Sequence, residues 1–192
     1  PIAALIADQF AAQSGNYLAF FSSFEFLELV AAEFRLRHPA IPMWTQVRGM
    51  DECQRHDFIA RFVPGGAGVG FAVLGGSFGE GIDLRGGRLV GAFVATLGLP
   101  QINRRNEQLK VCLEAAFGCG YDYAYLYPGL QKVVQAAGRV IRTQEDRGVV
   151  YLIDDRFHRS AVRELLPSWW QVTQVSPQRF TRPLGRHAES LE

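Results

Sequence analysis

Two rhythms of apolar and polar positions alternate along the chain. Runs rich in Val, Ile and Phe, with little polar interruption, read as strands: NYLAFFSS (16–23), IPMWTQ (41–46), VGFAVLGG (69–76), RLVGAFVATLG (88–98) and GVVYLIDD (148–155). Between them apolar residues recur at helical spacing. FEFLELVAAEFRLR (24–37) sets Phe24, Leu27, Val30, Ala31 and Phe34 on one face. Further helices are predicted over 50–62 with Asp51 as cap, over 101–118, over 128–142 opened by Pro128, and over 160–167. Strands that are apolar throughout need cover on both faces. The alternation therefore predicts an α/β fold, a mostly parallel central sheet flanked by helices.

Ligands of such sheets bind beyond the carboxyl ends of the strands. Polar groups gather there in this sequence: Ser22-Ser23, Thr45-Gln46, Gly75-Gly76-Ser77, Thr96 with Gly98, and Asp154-Asp155. That coincidence predicts a functional edge. No internal repeat or low-complexity block is present, and one domain is expected over 1–174, followed by a polar, loose tail over 175–192.

Composition narrows the classes. The 192 residues are 48% hydrophobic, enough for one well-buried domain. A formal net charge of +1 supplies no global basic field, so any polyanion site must be local. No run of about 18 apolar residues is present to span a membrane as a helix. The chain starts at Pro1 without a signal peptide, reads as a piece of something longer, and ends in a Leu191-Glu192 that is either native or a cloning remnant. Cys53, Cys112 and Cys119 match neither a CxxC metal pattern nor an even disulfide framework, and reduced thiols in a cytoplasmic protein are expected. His38, His56, His158 and His187 lack metal-ligand spacing, so no metal site is expected.

The chemistry concentrates in QAAGRVIR (135–142). On a helix Gln135, Gly138, Arg139 and Arg142 fall on one side, opposite Val133, Val134, Ala136, Ala137, Val140 and Ile141. A solvated face would give the same division. The phosphate-loop patterns fail one by one. Gly76 to Gly81 has the Walker A gap, but Ile82 stands where the loop needs lysine. GxGxxG fails after Gly66 and Gly68, where Phe71 takes the third glycine position, and after Gly79 and Gly81, where Leu84 does. The chain thus offers arginines suited to a polyphosphate without a cradle for one. An arginine finger, presented to a nucleotide held by another domain, accounts for both facts.

QAAGRVIR resembles motif VI, QxxGRxxR, of superfamily 2 helicases. GGSFGEGIDLRGGRL (75–89) is similar to motif V of the branch containing XPD and DinG, followed by a strand ending in GLP. NYLAFFSSFEFL (16–27) resembles motif IV, and 127–157 resembles the branch throughout, including the closing DDRF. The likeness covers about residues 5 to 170, with three motifs in order. It implies the second RecA-like domain, a three-layer α/β unit, of a DinG- or YoaA-like 5′-to-3′ DNA helicase. In this family ATP and Mg²⁺ lie between two RecA-like domains, and the N-terminal one carries Walker A, Walker B and an iron–sulfur cluster. Those parts would lie outside this chain.

The resemblance also assigns roles. Arg142 is expected to be the finger on the γ-phosphate, with Arg139 beside it or paired to an acid across the cleft. Gln135 would link nucleotide to motif V, and Gly138 would allow close approach of another backbone. Glu80, Gly81 and Asp83 would couple the nucleotide and DNA sites, Asp83 by holding a motif VI arginine. Ser22, Ser23, Arg48 and Ser77 are candidate contacts to single-stranded DNA, since hydroxyls commonly bond phosphate oxygens. Phe21 or Phe24 would stack on a base or pack in the core. Arg104 and Arg105 would add phosphate contacts or form a solvated face, and Asp154, Asp155 and Arg156 would brace motif VI. Two other readings stay open: a non-catalytic nucleic-acid or protein-binding RecA-like module, and a stand-alone α/β enzyme using the strand-end cleft.

Overall fold

The computed structural model describes residues 1–75, 78, 84, 88–140 and 148–175. Five parallel strands, β1 (Asn16–Phe21), β2 (Met43–Thr45), β3 (Gly68–Val73), β4 (Gly91–Ala95) and β5 (Val149–Leu152), pair in the order β2-β3-β1-β4-β5. All five fall inside runs predicted from the apolar pattern or overlap them closely. β1, β3 and β4 are central and almost wholly buried; β2 and β5 are the half-buried edges. The chain steps outward from β1 to one side and then crosses back to β4, so β1 is the switch point of the sheet. This is the RecA-like α/β arrangement that the sequence predicts.

Alternation along each strand divides the core in two. Tyr17, Ala19 and Phe21 face a layer containing Phe71, Phe93 and Ile6 of α1 (Ile2–Ala12), with Leu27, Val30 and Phe34 of α2 (Phe24–Arg37). Leu18 and Phe20 face the other layer, with Phe58 of α3 (Glu52–Ala60), Leu130, Val133 and Ala136 of α5 (Tyr127–Ala137), and Phe157. Asp51 caps α3 with a complete capping box: its carboxylate accepts from the Gln54 N–H, and the Gln54 side chain accepts from the Asp51 N–H. α1 lies ahead of the first predicted element. It is held by polar ties, with Tyr151 Oη donating to Gln9 Oε1 at 2.6 Å and Tyr17 Oη to the Gln13 carbonyl at 2.6 Å.

α4 (Arg104–Phe117) is capped by Asn103 and buries none of its residues. Polar bonds attach it to the segment 120–125, Tyr125 Oη donating to Glu107 Oε1 at 2.7 Å and the Gly120 N–H to Glu114 Oε2 at 2.6 Å. A π-helical turn, Asp122–Leu126, leads directly into α5. The predicted helix over 128–142 is thereby shifted. It begins one residue early and closes at Ala137, where the N–H groups of Arg139 and Val140 turn back to Ala136 and Ala137 in tighter bonds. A 3₁₀ turn (Asp155–His158) and α6 (Ser160–Arg163) complete the described elements. The predicted tail from 176 onward lies outside the described residues.

α5 docks on β4 through bare backbone. A Cβ on Gly129 would lie 2.7 Å from the Leu97 carbonyl oxygen and 3.1 Å from the Leu99 nitrogen; one on Gly98 (φ +71°) would lie 2.8 Å from the Gly129 carbonyl oxygen. No side-chain rotation relieves those contacts. Gly129→Ala is expected to destabilise the fold by about 1–3 kcal/mol, as overpacking typically does, read as a lower urea midpoint at unchanged m-value.

Candidate functional site at the two edges of the sheet

Of the described candidate residues, Ser22, Ser23 and Arg48 lie at the carboxyl edge of the sheet, Gln135 lies midway along α5, and Gly138 and Arg139 lie at the amino edge. At the carboxyl edge, Ser22 is exposed directly after β1. Ser23 caps α2, its Oγ accepting from the Phe26 N–H at 3.2 Å. Arg48 reaches from the loop after β2 past the end of β3. It forms an ion pair with Glu25 in the first turn of α2, and its guanidinium lies 4.7 Å from the centre of the Phe24 ring. Glu25 is held below the usual carboxylate range by its own backbone N–H and then the Ser23 hydroxyl, with Arg48 adding to both. Its charge is therefore present throughout the neutral range.

The stacking candidates resolve differently from each other. Phe21 is fully buried in the core, whereas the Phe24 face is covered by Arg48. Thr96 is buried, and its Oγ1 accepts from the Gly98 N–H at 3.0 Å, shaping the turn after β4. Gln46 is structural as well, its Oε1 accepting from the Val73 N–H at 2.8 Å. Gly75 closes β3 with φ +83° and lies against the side chain of Lys132 on α5, a residue that precedes the QAAGRVIR motif. Arg104 and Arg105 are exposed in the first turn of α4.

The amino edge holds the other end of α5. Gly138 and Arg139 stand just past the helix and are half-buried, and Val140 packs against Gly148 at the entry to β5. Gln135 is exposed midway, on a groove of about 430 Å³ lined by Tyr127, Leu130, Val134, Leu165 and Pro167. α5 thus crosses the sheet from its first turn, at Gly129 by the carboxyl edge, to its last residue, Ala137, with Arg139 just beyond at the amino edge; its 11 residues at 1.5 Å each make about 16 Å. Asn16 ties the amino edge together, its Nδ2 donating to the Val63 carbonyl at 2.7 Å and the Arg88 carbonyl at 2.9 Å. Ser77, Glu80, Gly81, Asp83 and Arg142 lie outside the described residues.

The carboxyl end of β5 builds a charged clasp. Asp154 accepts from Arg156 Nε at 2.7 Å, from Nη2 at 2.6 Å and from the Arg156 N–H at 3.0 Å. Burial works to raise the Asp154 pKa, but the Arg156 bonds and charge outweigh it and hold the carboxyl below its ordinary value. The clasp closes on itself; the neighbouring Phe157 is what joins the apolar cluster of α5. Among the described residues no group of three His, Cys, Asp or Glu could hold a metal ion. Cys53 lies on α3, Cys112 on α4 and Cys119 just past the end of α4, and the chain has no fourth thiolate, so they do not fit an iron–sulfur cluster. Among the described residues no helix is long and apolar enough to cross a membrane.

Residues 6–173 match the family described as Helicase C-terminal domain. The chain is 30% identical over 160 residues to a probable ATP-dependent helicase of Methanocaldococcus jannaschii, covering 75% of this chain and 24% of that protein. It is 29% identical over 174 residues to Regulator of telomere elongation helicase 1 of Bos taurus, covering 79% of this chain and 14% of that protein. The chain therefore spans a quarter or less of these relatives' length. Apo XPD superposes with a TM-score of 0.66 at 21% identity, covering 84% of this chain and 33% of that one. Xpd4 of S. tokodaii does so at 0.58 and 19%, covering 82% and 30%. These likenesses bear out the resemblance to the XPD and DinG branch and the RecA-like fold.

Because the Asp154 pKa is depressed on folding, the clasp's contribution is complete above the ordinary carboxylate pKa of about 3.9 and fades as pH falls toward the folded value. Asp154→Asn is expected to cost about 1.5–3 kcal/mol at pH 7, the range for bonds to charged groups. Urea unfolding should show the gap to the parent narrowing below about pH 4.

Proposed function

Because the chain belongs to the helicase C-terminal domain family, we propose that it is the second RecA-like motor domain of an ATP-dependent DNA helicase of the XPD and DinG branch. In this reading it works against an N-terminal RecA-like domain of the same polypeptide. The observation that carries the reading is the course of α5, from the carboxyl edge at Gly129 to the amino edge at Gly138 and Arg139. A motor must keep its nucleotide apart from its track yet connect the two, and one rigid helix does both here.

Single-stranded DNA lies across the carboxyl edge, where Ser22, Ser23, Arg48 and Ser77 bond backbone phosphates. Such contacts position the strand without reading its sequence, and Arg48 exchanges Glu25 for a phosphate as the strand arrives. At the opposite edge, ATP and Mg²⁺ are held mainly by the N-terminal domain. Arg142 and Arg139 approach the γ-phosphate from this chain. Charge spreads over the equatorial oxygens as phosphoryl transfer proceeds, and a planar guanidinium neutralises it without a proton transfer. Gln135 and Gly138 line the same approach, while Glu80, Gly81 and Asp83 relay between nucleotide and DNA. The motor unit occupies 1–174, and 175–192 form its tail. Polarity is 5′-to-3′ and an iron–sulfur cluster belongs to the N-terminal part, both by family likeness.

Arg142→Ala in the full-length helicase should lower DNA-stimulated ATP turnover by about 10³-fold or more, the scale of an arginine finger, with the circular dichroism spectrum unchanged. Arg139→Ala should lower it as well. The 192-residue chain alone should release no phosphate above background. An unchanged rate in Arg142→Ala overturns the finger assignment, and a full-length protein without ATP turnover favours the binding-module reading.

A further inference from the structure

Resting on the reading of the carboxyl edge as the DNA track, we propose that Lys132 is a DNA-phosphate contact. It would make α5 a helix that touches the strand at one end and the nucleotide at the other. Motif VI as usually delimited starts at Gln135, so Lys132 falls outside it.

Three observations converge on this residue. The first is position. Lys132 stands one turn after Gly129, and its side chain extends back toward the carboxyl edge, the direction in which helical side chains lean. A Cβ on Gly75 would lie 3.2 Å from Lys132 Cδ and 3.3 Å from Nζ, so the ammonium rests on the last residue of the β3 turn. The second is neighbourhood. β1 and β3 are adjacent and pair Phe21 with Val73 at their carboxyl ends, so the chain leaves the sheet side by side at Ser22–Ser23 and at Leu74–Gly75. Strand ends in a sheet lie about 4.8 Å apart, so hydroxyls and ammonium share one rim. The third is charge. Glu25 takes up Arg48, whereas Lys132 enters no ion pair with a described residue.

The α5 geometry adds a consequence. Lys132 lies within α5, and Arg139 follows just past its last residue, Ala137. A phosphate that draws on Lys132 acts on the helix whose end leads directly into Arg139. Glycine suits position 75 for its positive φ, and a Cβ there would displace the lysine stem by a few tenths of an ångström.

The test is fluorescence-anisotropy titration of the 192-residue chain with labelled oligothymidylate across a potassium chloride series. Lys132→Met keeps the aliphatic stem over Gly75 and removes only the charge. It should weaken binding several-fold and flatten the slope of log K against log salt by about 0.7, the value of one phosphate contact on a single strand. Lys132→Arg should keep the parental slope. If the parent binds and Lys132→Met matches it in affinity and slope, Lys132 only packs on Gly75 and the inference falls while the track reading stands. If the parent itself does not bind, the track reading fails and the inference with it.

Discussion

The arrangement depends on one backbone-to-backbone contact. The Leu97–Leu99 turn after β4 and Gly129 at the start of α5 meet with no side chain between them. Closeness there sets how deeply α5 sinks onto the sheet, and hence that Val133 and Ala136 reach the β1 and β4 side chains. It also sets the height of the helix along the strands. With Gly129 level with the end of β4, the turn at Gly138 and Arg139 arrives at the entry to β5, where Val140 meets Gly148. A helix held one residue higher or lower would carry Lys132 off Gly75 and Arg139 off the amino edge together.

Charge is used sparingly in this domain. With a net charge of +1, the chain carries no basic field, and in the proposed reading a polyanion would meet a few cations placed on a rim. Arg48 is engaged by Glu25 and the Phe24 ring, a pairing at an exposed site that costs little to break. Arg156, by contrast, is committed to Asp154 by three bonds and serves the fold.

Much of this is legible in the chain. Strands such as NYLAFF and GAFVA are apolar at every position, or nearly so, because the sheet is covered on both faces. Asp51 with Gln54, three residues apart, announces the start of α3. α1 escapes a sequence reading because the contacts that fix it are remote: Gln9 must find Tyr17 and Tyr151, the latter 142 residues away. The end of α5 is misleading for the opposite reason. Its apolar stripe continues through Val140 and Ile141, so periodicity alone extends the helix, whereas the structure closes it at Ala137, with the Arg139 and Val140 N–H groups bonding back three residues rather than four. Lys132 lies on the motif VI stripe, but nothing local says that a glycine 57 positions earlier lies beneath it.

The sequence by itself determined the layer architecture, the order of the motifs and the absence of a phosphate-binding loop, because each is a matter of residue type at short spacing. Only the tertiary structure decided that the described candidate residues spread from the carboxyl edge to the amino edge, that Phe21 is core while Phe24 lies under Arg48, and that α5 runs between those edges. Those outcomes depend on which strand ends lie side by side. Side-by-side placement is set by pairing across the sheet, which short-range patterns in a linear chain do not encode.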